Sequence, residues 1–500
     1  MTIRMLQAWN GLHQQKIVTT LSGSDEAALV AAGIATYDLD GPAENLRMAQ
    51  LVTDAGGASF SPLLQGAILP HPSSFSLGMK LNFPFHVQYQ NGRFSTNFDR
   101  KVWAPTPDVQ PWLTQNTYYV DGTAGNDANS GATWALAFKS IGKAIRAGNV
   151  AAAPYVVYVR AGTYDRVLSW GSQSFQAAGG SGAAVPSQPC AFIAVGGRVV
   201  STTHGSLTWA LNSGTTYQVA RANARRVVDI SKIDSYGDYP EITSVAALAT
   251  CQATPGTYYT DGTTLYVNRS DAAVVSDTNT RVYISSVTTG EMTTSGNMYV
   301  AGFDFEGGDQ CCFRLKNADA TGRAVFDDCT FKYSSGSTAA SGVQLQSAYG
   351  AAFIRCTAAR NQADGFNQHM LAGVYPVMIT IDCVGRHNGM TGSTSNNGLT
   401  SHDGCLAIDV AGVYHHNAGG NVAFVHASTQ LWAVGTSAHD SLGDTIYGGI
   451  VPSCDFMVDQ GAATIFADYC SAFASQYSEY IGSGGSIVKR GCGFNSNTDN

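Results

Sequence analysis

The sequence predicts an all-β solenoid in which short parallel strands stack in successive rungs. Cys329, Cys356 and Cys383 recur at a constant interval of 27 residues, and each lies in or directly after a short apolar segment. A fixed interval of this size is typical of a structural repeat. Within each repeat, apolar positions alternate briefly and are then interrupted by Gly, Asn, Asp or Ser, which favours strands over helices. The 55 glycines and the low charged fraction of 13% are expected for many strands joined by tight turns.

The repeat length indicates one kind of solenoid. A rung of three short strands and three turns uses roughly 20 to 30 residues, so we expect a parallel β-helix with equivalent strands about 4.8 Å apart. The three cysteines should then stack as a column of inward side chains. A second column should be formed by turn residues, namely Asn361, Asn388, Asn417 and Asp440.

Charge and hydropathy exclude several classes of function. The net charge of −8 argues against a nucleic-acid partner, which would require a basic face. No window approaches the roughly 18 apolar residues of a membrane span, and the N-terminal residues lack the apolar core of a signal peptide. We therefore expect synthesis and folding in a cytoplasm. The 11 cysteines lack metal-ligand spacing, so we expect reduced core residues, no metal and no cofactor.

The chain divides into three parts. Residues 1–55 contain one predicted helix, with Ser24 as its N-cap, residues 27–32 as its body and Gly33 as its stop. Residues 56–116 contain seven prolines and no sustained periodicity, which predicts an extended connector. Residues 117–500 carry the β-helix pattern, which is interrupted at about 200–295.

Several segments of the third part resemble a known family. Residues 118–122, 125–131, 138–145 and 156–164 read YYVDG, GNDANSG, FKSIGKAI and VVYVRAGTY. They resemble the opening of right-handed parallel β-helix proteins of the pectate-lyase-like superfamily, in which the segment corresponding to 138–145 is a helix that caps the first rung. Residues 255–267, PGTYYTDGTTLYV, are similar to the small β-subdomain inserted in several β-helix glycosidases and phage tailspikes. The resemblance covers about residues 117–500.

The N-terminal part indicates which members of this superfamily the chain resembles. Residues 17–21, IVTTL, followed by the Ala-rich helix and residues 33–35, are similar to small modules of phage virion proteins. This implies a phage tailspike whose residues 1–55 attach to other tail proteins in the virion, whose β-helix binds host surface polysaccharide, and which is a homotrimer. The alternative is a non-enzymatic structural or adhesive β-helix of the virion.

The resemblance also implies a choice of chemistry. Tailspikes of this kind commonly cleave polysaccharide, either by hydrolysis with two carboxyl groups or by β-elimination with a base and a charge neutraliser. Hydrolysis needs the two carboxyl groups about 5 Å apart for retention, or roughly 6.5–9.5 Å apart for inversion. Equivalent positions on neighbouring rungs are about 4.8 Å apart. We expect a glycoside hydrolase before a lyase, and elimination stays open.

The densest polar region lies between residues 360 and 445. Asp364 and His369 follow one predicted ladder turn, and His402 and Asp403 follow the next one after an insertion at 391–400 that can form a groove wall. A histidine beside a carboxylate can orient or tune an acid–base pair. The simpler interpretation is that these are turn aspartates that accept backbone N–H groups. The candidate catalytic residues are Asp364, His402, Asp403 and Asp440.

Aromatic and imidazole side chains in the same region are candidates for sugar contacts. The candidate substrate-binding residues are His369, His387, His416 and Trp432. An aromatic face suits the C–H face of a sugar ring, although Trp432 also fits a core position. The histidine spacing follows the rung period, so no metal site is expected. Tyr236, Tyr239 and Glu241 in the interruption are candidates to reach over the groove.

Overall fold

The computed structural model describes most of the chain beyond residue 115 and less of the part before it. The described residues are 3–5, 17–18, 35–37, 68–75, 81, 84–90, 93–106, 116–168, 185–285, 290–292, 296–316, 321–336, 340–346, 349–390, 393, 395–444, 451–494 and 497–499. The helix expected at residues 27–32 lies outside them. Strand β1 (Ile3–Met5) pairs antiparallel with β2 (Ile17–Val18) and β3 (Ala35–Tyr37).

The next segment forms a small antiparallel sheet and a helical turn. Strand β5 (His86–Gln90) lies between β4 (Ile68–Pro70) and β6 (Arg93–Thr96). Helix α1 (Arg100–Trp103) begins after Asp99, whose side chain accepts a hydrogen bond from the Lys101 N–H at 2.8 Å. We call the described residues between 68 and 104 the strap.

The solenoid begins with three parallel strands and a capping helix. The strands are β7 (Asn116–Val120), β8 (Tyr155–Tyr164) and β9 (Cys190–Thr202), with a 3₁₀ turn (Trp134–Leu136) and helix α2 (Ile141–Ala151) between the first two. Ser140 caps α2 by accepting from the Lys143 N–H at 3.2 Å. Ile141, Ala144 and Ile145 are fully buried against the core of the solenoid. The structure therefore contains the capping helix that the resemblance implies.

A subdomain with its own core is inserted after β9. Its elements are β10 (Ala210–Ser213), β11 (Thr216–Ala220), β12 (Ala224–Asp229), β13 (Glu241–Ser244), α3 (Leu248–Ala253), β14 (Thr257–Thr260), β15 (Thr264–Asn268) and β16 (Thr280–Ile284). The sheet order is β10-β11-β15-β14-β13-β12-β16. Val227, Leu265, Val267 and Val282 are fully buried within it. We call residues 203–285 the inserted subdomain.

The remaining strands repeat in groups of three along the solenoid. They are β17 (Gly290–Met292), β18 (Met298–Ala301), β19 (Phe303–Glu306), β20 (Cys311–Lys316), β21 (Arg323–Asp327), β22 (Thr330–Lys332), β23 (Ser341–Gln346), β24 (Gly350–Ile354), β25 (Thr357–Ala359), β26 (Phe366–His369), β27 (Val377–Ile381), β28 (Val384–Arg386), β29 (Leu399–Ser401), β30 (Leu406–Val410), β31 (Val413–His415), β32 (Val422–Val425), β33 (Gln430–Val434), β34 (Ser437–His439), β35 (Cys454–Asp459), β36 (Thr464–Asp468), β37 (Ser471–Phe473), β38 (Tyr477–Ile481), β39 (Ser486–Arg490), β40 (Gly493–Phe494) and β41 (Asn497–Asp499).

These strands stack as three parallel sheets, which is the predicted parallel β-helix. Sheet 1 contains β7, β8, β9, β18, β21, β24, β27, β30, β33, β36 and β39. Sheet 2 runs from the second half of β9 through β19, β22, β25, β28, β31, β34, β37 and β40. Sheet 3 contains β17, β20, β23, β26, β29, β32, β35, β38 and β41. No helix among the described residues is long and apolar enough to cross a membrane.

The predicted cysteine column is confirmed. Strand pairing aligns Thr330 with Thr357 and Thr357 with Val384, so the cysteine before each of these residues occupies the same position on three consecutive rungs. Cys329, Cys356 and Cys383 are fully buried. On the next two rungs this position is occupied by Gly412 and Thr436. On the two rungs after those it is occupied by Cys470 and Cys492.

The turn ladder is confirmed for its asparagines and wrong for Asp440. Asn361 donates from Nδ2 to Oδ1 of Asn388 at 2.9 Å, and Asn388 donates in the same way to Asn417 at 2.9 Å. The ladder then continues to Asn421 and Asp455, with steps of 2.9 Å each. Since His415 pairs with His439, the residue equivalent to Asn417 is Ser441. Asp440 lies one position earlier, in a left-handed turn conformation with φ of 51°.

The expectation of an extended connector is wrong for the strap. The outward side chains of sheet 1 form an apolar column, and Phe75, Phe85 and Trp103 of the strap are buried against it. The rings of Phe75 and Phe85 lie 6.4 and 6.2 Å from the ring of Trp432. Trp103 fits over Gly350, where a Cβ would lie 2.9 Å from the indole. The solenoid wall supplies the apolar partners that the strap's own sequence lacks.

Replacing the middle cysteine of the column tests the interior packing. We expect Cys356→Arg to destabilise the fold by more than about 4 kcal/mol, because the guanidinium would be buried without a partner. Chemical denaturation measures this change. Cys492→Arg is the control, since Cys492 is partly exposed. Equal stability of the two variants would contradict the inward assignment.

Truncating the strap's tryptophan tests its packing. Trp103 is fully buried, so Trp103→Ala should lower the free energy of unfolding by about 3–5 kcal/mol. Its neighbour Val102 is 41% exposed, and Val102→Ala should change stability by no more than about 0.5 kcal/mol. A thermal midpoint that is the same in both variants would show that the strap is not packed as described.

Candidate functional site

Three neighbouring strands of sheet 3 bring three histidines and one aspartate together. Gln368 of β26 pairs with Ser401 of β29, so His369 and His402 lie on adjacent rungs. Their rings stack with centroids 4.1 Å apart and 16° between the planes. The ring of His426, which follows β32, lies 5.5 Å from that of His402. We call His369, His402, Asp403 and His426 the imidazole–carboxylate cluster.

Asp403 links two of these imidazoles. Its Oδ1 lies 2.8 Å from Nδ1 of His426, and its Oδ2 lies 3.3 Å from Nδ1 of His369. An ionised carboxylate only accepts hydrogen bonds, so both Nδ1 atoms carry protons. This leaves the two Nε2 atoms, and since Nε2 of His426 lies 3.1 Å from Oε1 of Gln460, Nε2 of His369 is the one that can take a proton from a ligand. The side chains of His369, Asp403 and His426 are 29%, 28% and 39% exposed, so a ligand can reach them.

The surroundings set the charge state of the cluster. Burial tends to raise the pKa of Asp403, but hydrogen bonds from His426 and His369 outweigh it and hold the pKa below its usual value. Burial, followed by the neighbouring charges of His369 and His426, lowers the pKa of His402 to about 3. At neutral pH the cluster therefore contains a carboxylate beside a neutral His402.

Buried hydrogen bonds fix the strand ends that carry the cluster. Gln368 is fully buried and donates from Nε2 to Ser401 Oγ at 2.8 Å and to the Leu406 carbonyl at 3.0 Å. The Gly404 N–H donates to Thr429 Oγ1 at 2.9 Å. Asp403 itself has a φ of 61°, a left-handed conformation that Asp tolerates better than most residues. The carboxylate is thus held on a rigid turn between two strands.

Asp364 does not share this exposed position. It is fully buried, and its carboxylate accepts from four donors, namely Asn367 Nδ2 at 2.7 Å, Ser395 Oγ at 2.8 Å, the Asn397 N–H at 2.9 Å and Asn397 Nδ2 at 2.8 Å. Burial raises the pKa of this carboxyl group above its usual value, against these hydrogen bonds. The structure therefore corrects the expectation that Asp364 faces a groove. It holds Ser395 and Asn397 of the insertion in place.

Three other predicted residues, His387, His416 and Asp440, form a second group where the strands of sheet 2 end. His387 and His416 stack with ring centroids 4.9 Å apart. His439 Nδ1 lies 2.8 Å from Asp440 Oδ2. Tyr236 reaches this group from the inserted subdomain, and its ring lies 4.8 Å from that of His387. The predicted site residues are therefore divided between these two groups and the separate buried positions of Asp364 and Trp432.

Side chains of the inserted subdomain fasten it above this second group. Asp238 is buried and forms ion pairs with Lys332 at 2.7 Å and with the fully buried Arg386. Burial raises the pKa of Asp238, but the charges of Lys332 and Arg386 outweigh it and keep the pKa far below its usual value. Glu241 pairs with Arg226 at 3.1 Å. The Asp238 carboxylate is thus enclosed, whereas the Glu241 side chain remains partly exposed.

Trp432 is not available to a sugar. It is fully buried beneath the strap, and its Nε1 donates to Asp468 Oδ2 at 2.9 Å. The expectation of a sugar-stacking face is therefore wrong. The sequence interpretation did not assign His426 or Gln460 to the site, and Oε1 of Gln460 lies 3.1 Å from Nε2 of His426. In the sequence they are recognisable only as polar residues that follow β32 and β35, one rung apart.

The chain is similar to several solved structures at low sequence identity. No family model and no curated protein matches the chain. The complex structure of XylC with xylose is similar at 11% identity and a TM-score of 0.44, over 75% of this chain and 70% of that one. Pectate lyase Pel9A is similar at 12% identity and a TM-score of 0.36, over 77% and 79%. The tailspike protein gp49 from Pseudomonas phage LKA1 is similar at 11% and 0.20, over 72% and 71%.

Replacing Asp364 separates a structural role from a chemical one. Asp364→Asn places amide hydrogens against the donors of Asn367 and Asn397, and it should cost about 1–3 kcal/mol of stability. Ser395→Ala removes one donor only and should cost about 0.5–1.5 kcal/mol. Thermal unfolding measures both. An Asp364→Asn variant of unchanged stability would contradict the structural role.

Proposed function

We propose that this protein is a phage tailspike that binds and depolymerises a host surface polysaccharide, with cleavage at the imidazole–carboxylate cluster. The observation that carries the proposal is the partly exposed Asp403 carboxylate, held between His369 and His426 on a rigid turn. A positioned imidazole of this kind can accelerate proton transfer by about 10²–10⁴-fold. Asp403 orients His369, and Nε2 of His369 is the proton acceptor.

The outer face of sheet 3 supports a glycan-binding role for the surface beside the cluster. Gln346 pairs with His369, and His402 follows on the next rung, so three polar side chains recur along the solenoid axis at strand spacings of about 4.8 Å. All three are partly exposed. A column of hydrogen-bonding groups along the axis suits an extended chain of sugar hydroxyls.

The single carboxylate of the cluster favours elimination over hydrolysis. Hydrolysis by two carboxyl groups needs a second one within about 10 Å in the groove. Asp364, the expected second group, is buried beneath Ser395 and Asn397. In β-elimination His369 takes the proton beside the carboxyl group of a uronic acid residue. The C–H electron pair forms a double bond, the glycosidic C–O bond breaks, and the leaving oxygen takes a proton from solvent. We therefore propose a lyase, which reverses the order expected from the sequence.

The same proposal places the chain in the phage tail. Residues 1–55 attach to other tail proteins, and the protein is a homotrimer. The resemblance of residues 17–35 to small virion modules supports this attachment. Since the strap packs on the solenoid, attachment belongs to the residues before it. Particles assembled with a chain lacking residues 1–55 should lack the protein, and retention of the protein would place attachment elsewhere.

A polysaccharide screen tests the proposed reaction. Purified protein should lower the viscosity of capsule or lipopolysaccharide from a susceptible host and produce unsaturated ends that absorb in the ultraviolet. New reducing ends without ultraviolet absorbance would indicate hydrolysis. Binding without any loss of viscosity would indicate the adhesive alternative and end the proposal of cleavage.

Two substitutions test the proposed residues. Asp403→Asn and His369→Gln should each lower the rate of depolymerisation by at least about a hundredfold, because the positioned base is lost. Both side chains are partly exposed, so the thermal midpoint should change little. Asp440→Asn alters a carboxylate in the other group and should remain active. Full activity of Asp403→Asn would refute the site.

A further inference from the structure

One pair in the cysteine column differs from the others in exposure. Asp468 pairs with Arg490 and Ser471 pairs with Gly493, so Cys470 and Cys492 occupy equivalent positions on adjacent rungs. Both are free thiols, and Cys492 is partly exposed whereas Cys470 is fully buried. Sγ of Cys492 lies 3.2 Å from the Ala467 carbonyl oxygen, and Sγ of Cys470 lies 3.5 Å from the Ala433 carbonyl oxygen.

The spacing of adjacent rungs is close to that of a disulfide. Equivalent Cα atoms of neighbouring parallel strands are about 4.8 Å apart, within the roughly 4.4–6.8 Å that a disulfide spans. The Cβ atoms of a disulfide lie about 3.8 Å apart, so the two rungs must approach by about 1 Å. The approach would bring β39 and β40, the strands of the Cys492 rung in sheets 1 and 2, closer to β36 and β37, with which they pair.

Two other cysteines of the column can be compared with this pair. Cys329 and Cys356 have the same one-rung separation, and their sulfurs donate to carbonyls of the preceding rung at 3.6 and 3.4 Å. Both are fully buried, and paired strands hold their rungs on both sides. An oxidant in solution cannot reach them, and their rungs cannot shift independently. The same register is thus partly exposed at Cys492 and fully buried at Cys329 and Cys356.

The thiols of the exposed pair are also unequal. A hydrogen bond from Cys470 lowers the pKa of the Cys492 thiol below its usual value, although burial opposes this. Burial raises the pKa of Cys470 well above its usual value. The thiolate is the reacting form of cysteine, so Cys492 is the thiol that attacks first and Cys470 is the one that follows.

We propose that Cys470 and Cys492 form a redox-sensitive disulfide that fastens the Cys492 rung to the solenoid. With a small disulfide such as oxidised glutathione as the oxidant, the Cys492 thiolate attacks one sulfur and releases one glutathione thiolate. The Cys470 thiolate then attacks the Cys492 sulfur of the mixed disulfide and releases the second. Two protein thiols are oxidised, one glutathione disulfide is reduced, and two thiol protons leave. This inference does not depend on the proposed depolymerase activity.

Oxidation of the full chain with oxidised glutathione tests the inference. After the reaction, the protein is unfolded in an alkylating reagent and digested, and its peptides are identified by mass spectrometry. We expect one linked pair, Cys470 with Cys492, and nine alkylated cysteines, since the chain has 11. The linked form should also resist proteolysis of residues 486–494 better than the reduced form does.

Two variants complete the test. Cys492→Ser alters only the exposed partner, and it should abolish both the linked peptide and the gain in protease resistance. Cys356→Ser should leave the Cys470–Cys492 link intact. Three results would overturn the proposal: no linked peptide after oxidation, a Cys329–Cys356 link formed at the same rate, or a glutathione adduct on Cys492 that does not proceed to the link, because the rungs would then be unable to approach.

Discussion

Each strand from β21 to β36 in sheets 1 and 2 is hydrogen-bonded to an equivalent strand on either side, and this parallel pairing fixes which side chains touch. Once Thr330, Thr357 and Val384 are aligned, the preceding cysteines must stack. The same pairing places His402 directly beside His369, so their rings stack without any contact from a distant loop. The rung register is therefore the constraint from which both the core and the candidate site follow.

The register also determines whether each carboxylate is buried or exposed. Inside the solenoid Asp409 is fully buried, and it accepts hydrogen bonds from the hydroxyl groups of Thr380, Tyr414 and Thr436. Burial raises the pKa of this carboxyl group despite those donors. Its side chain occupies the space that the missing cysteine would fill, because a Cβ at Gly412 would lie 2.5 Å from its Oδ1. Asp403, on the outer turn, instead meets imidazoles and stays accessible. The position in the rung, rather than the residue type, separates a structural carboxylate from a candidate catalytic one.

The sequence allows prediction of those features that repeat at a constant interval. The cysteine column and the Asn361–Asn388–Asn417 ladder follow directly from intervals of 27 and 29 residues. Asp440 was misplaced because the next rung is shorter, so that aligning His416 with His439 shifts the register by one residue. His415, not His416, is the true partner of His439.

Contacts that depend on tertiary packing were beyond the reach of the sequence. An alternating strand does not reveal which of its faces is covered, and sheet 1 has apolar side chains on both. From the sequence alone, Trp432 is therefore equally compatible with a core position, a sugar-stacking position or a position on which the strap packs. The strap gave no signal of its own, because its prolines interrupt any periodicity and its apolar partners lie in the solenoid.

The candidate site lies where the rung period changes. Between β28 and β29 the turn is lengthened, and Ser395 and Asn397 within it cover Asp364. The strand that follows ends at Ser401 and presents His402 and Asp403 at its open end. A single lengthened turn thus buries Asp364 at the start of β26, while the turn after β29, the next strand of sheet 3, leaves Asp403 exposed between two imidazoles. Regular rungs supply the rigidity, and the irregular turns supply the asymmetry that a reactive site needs.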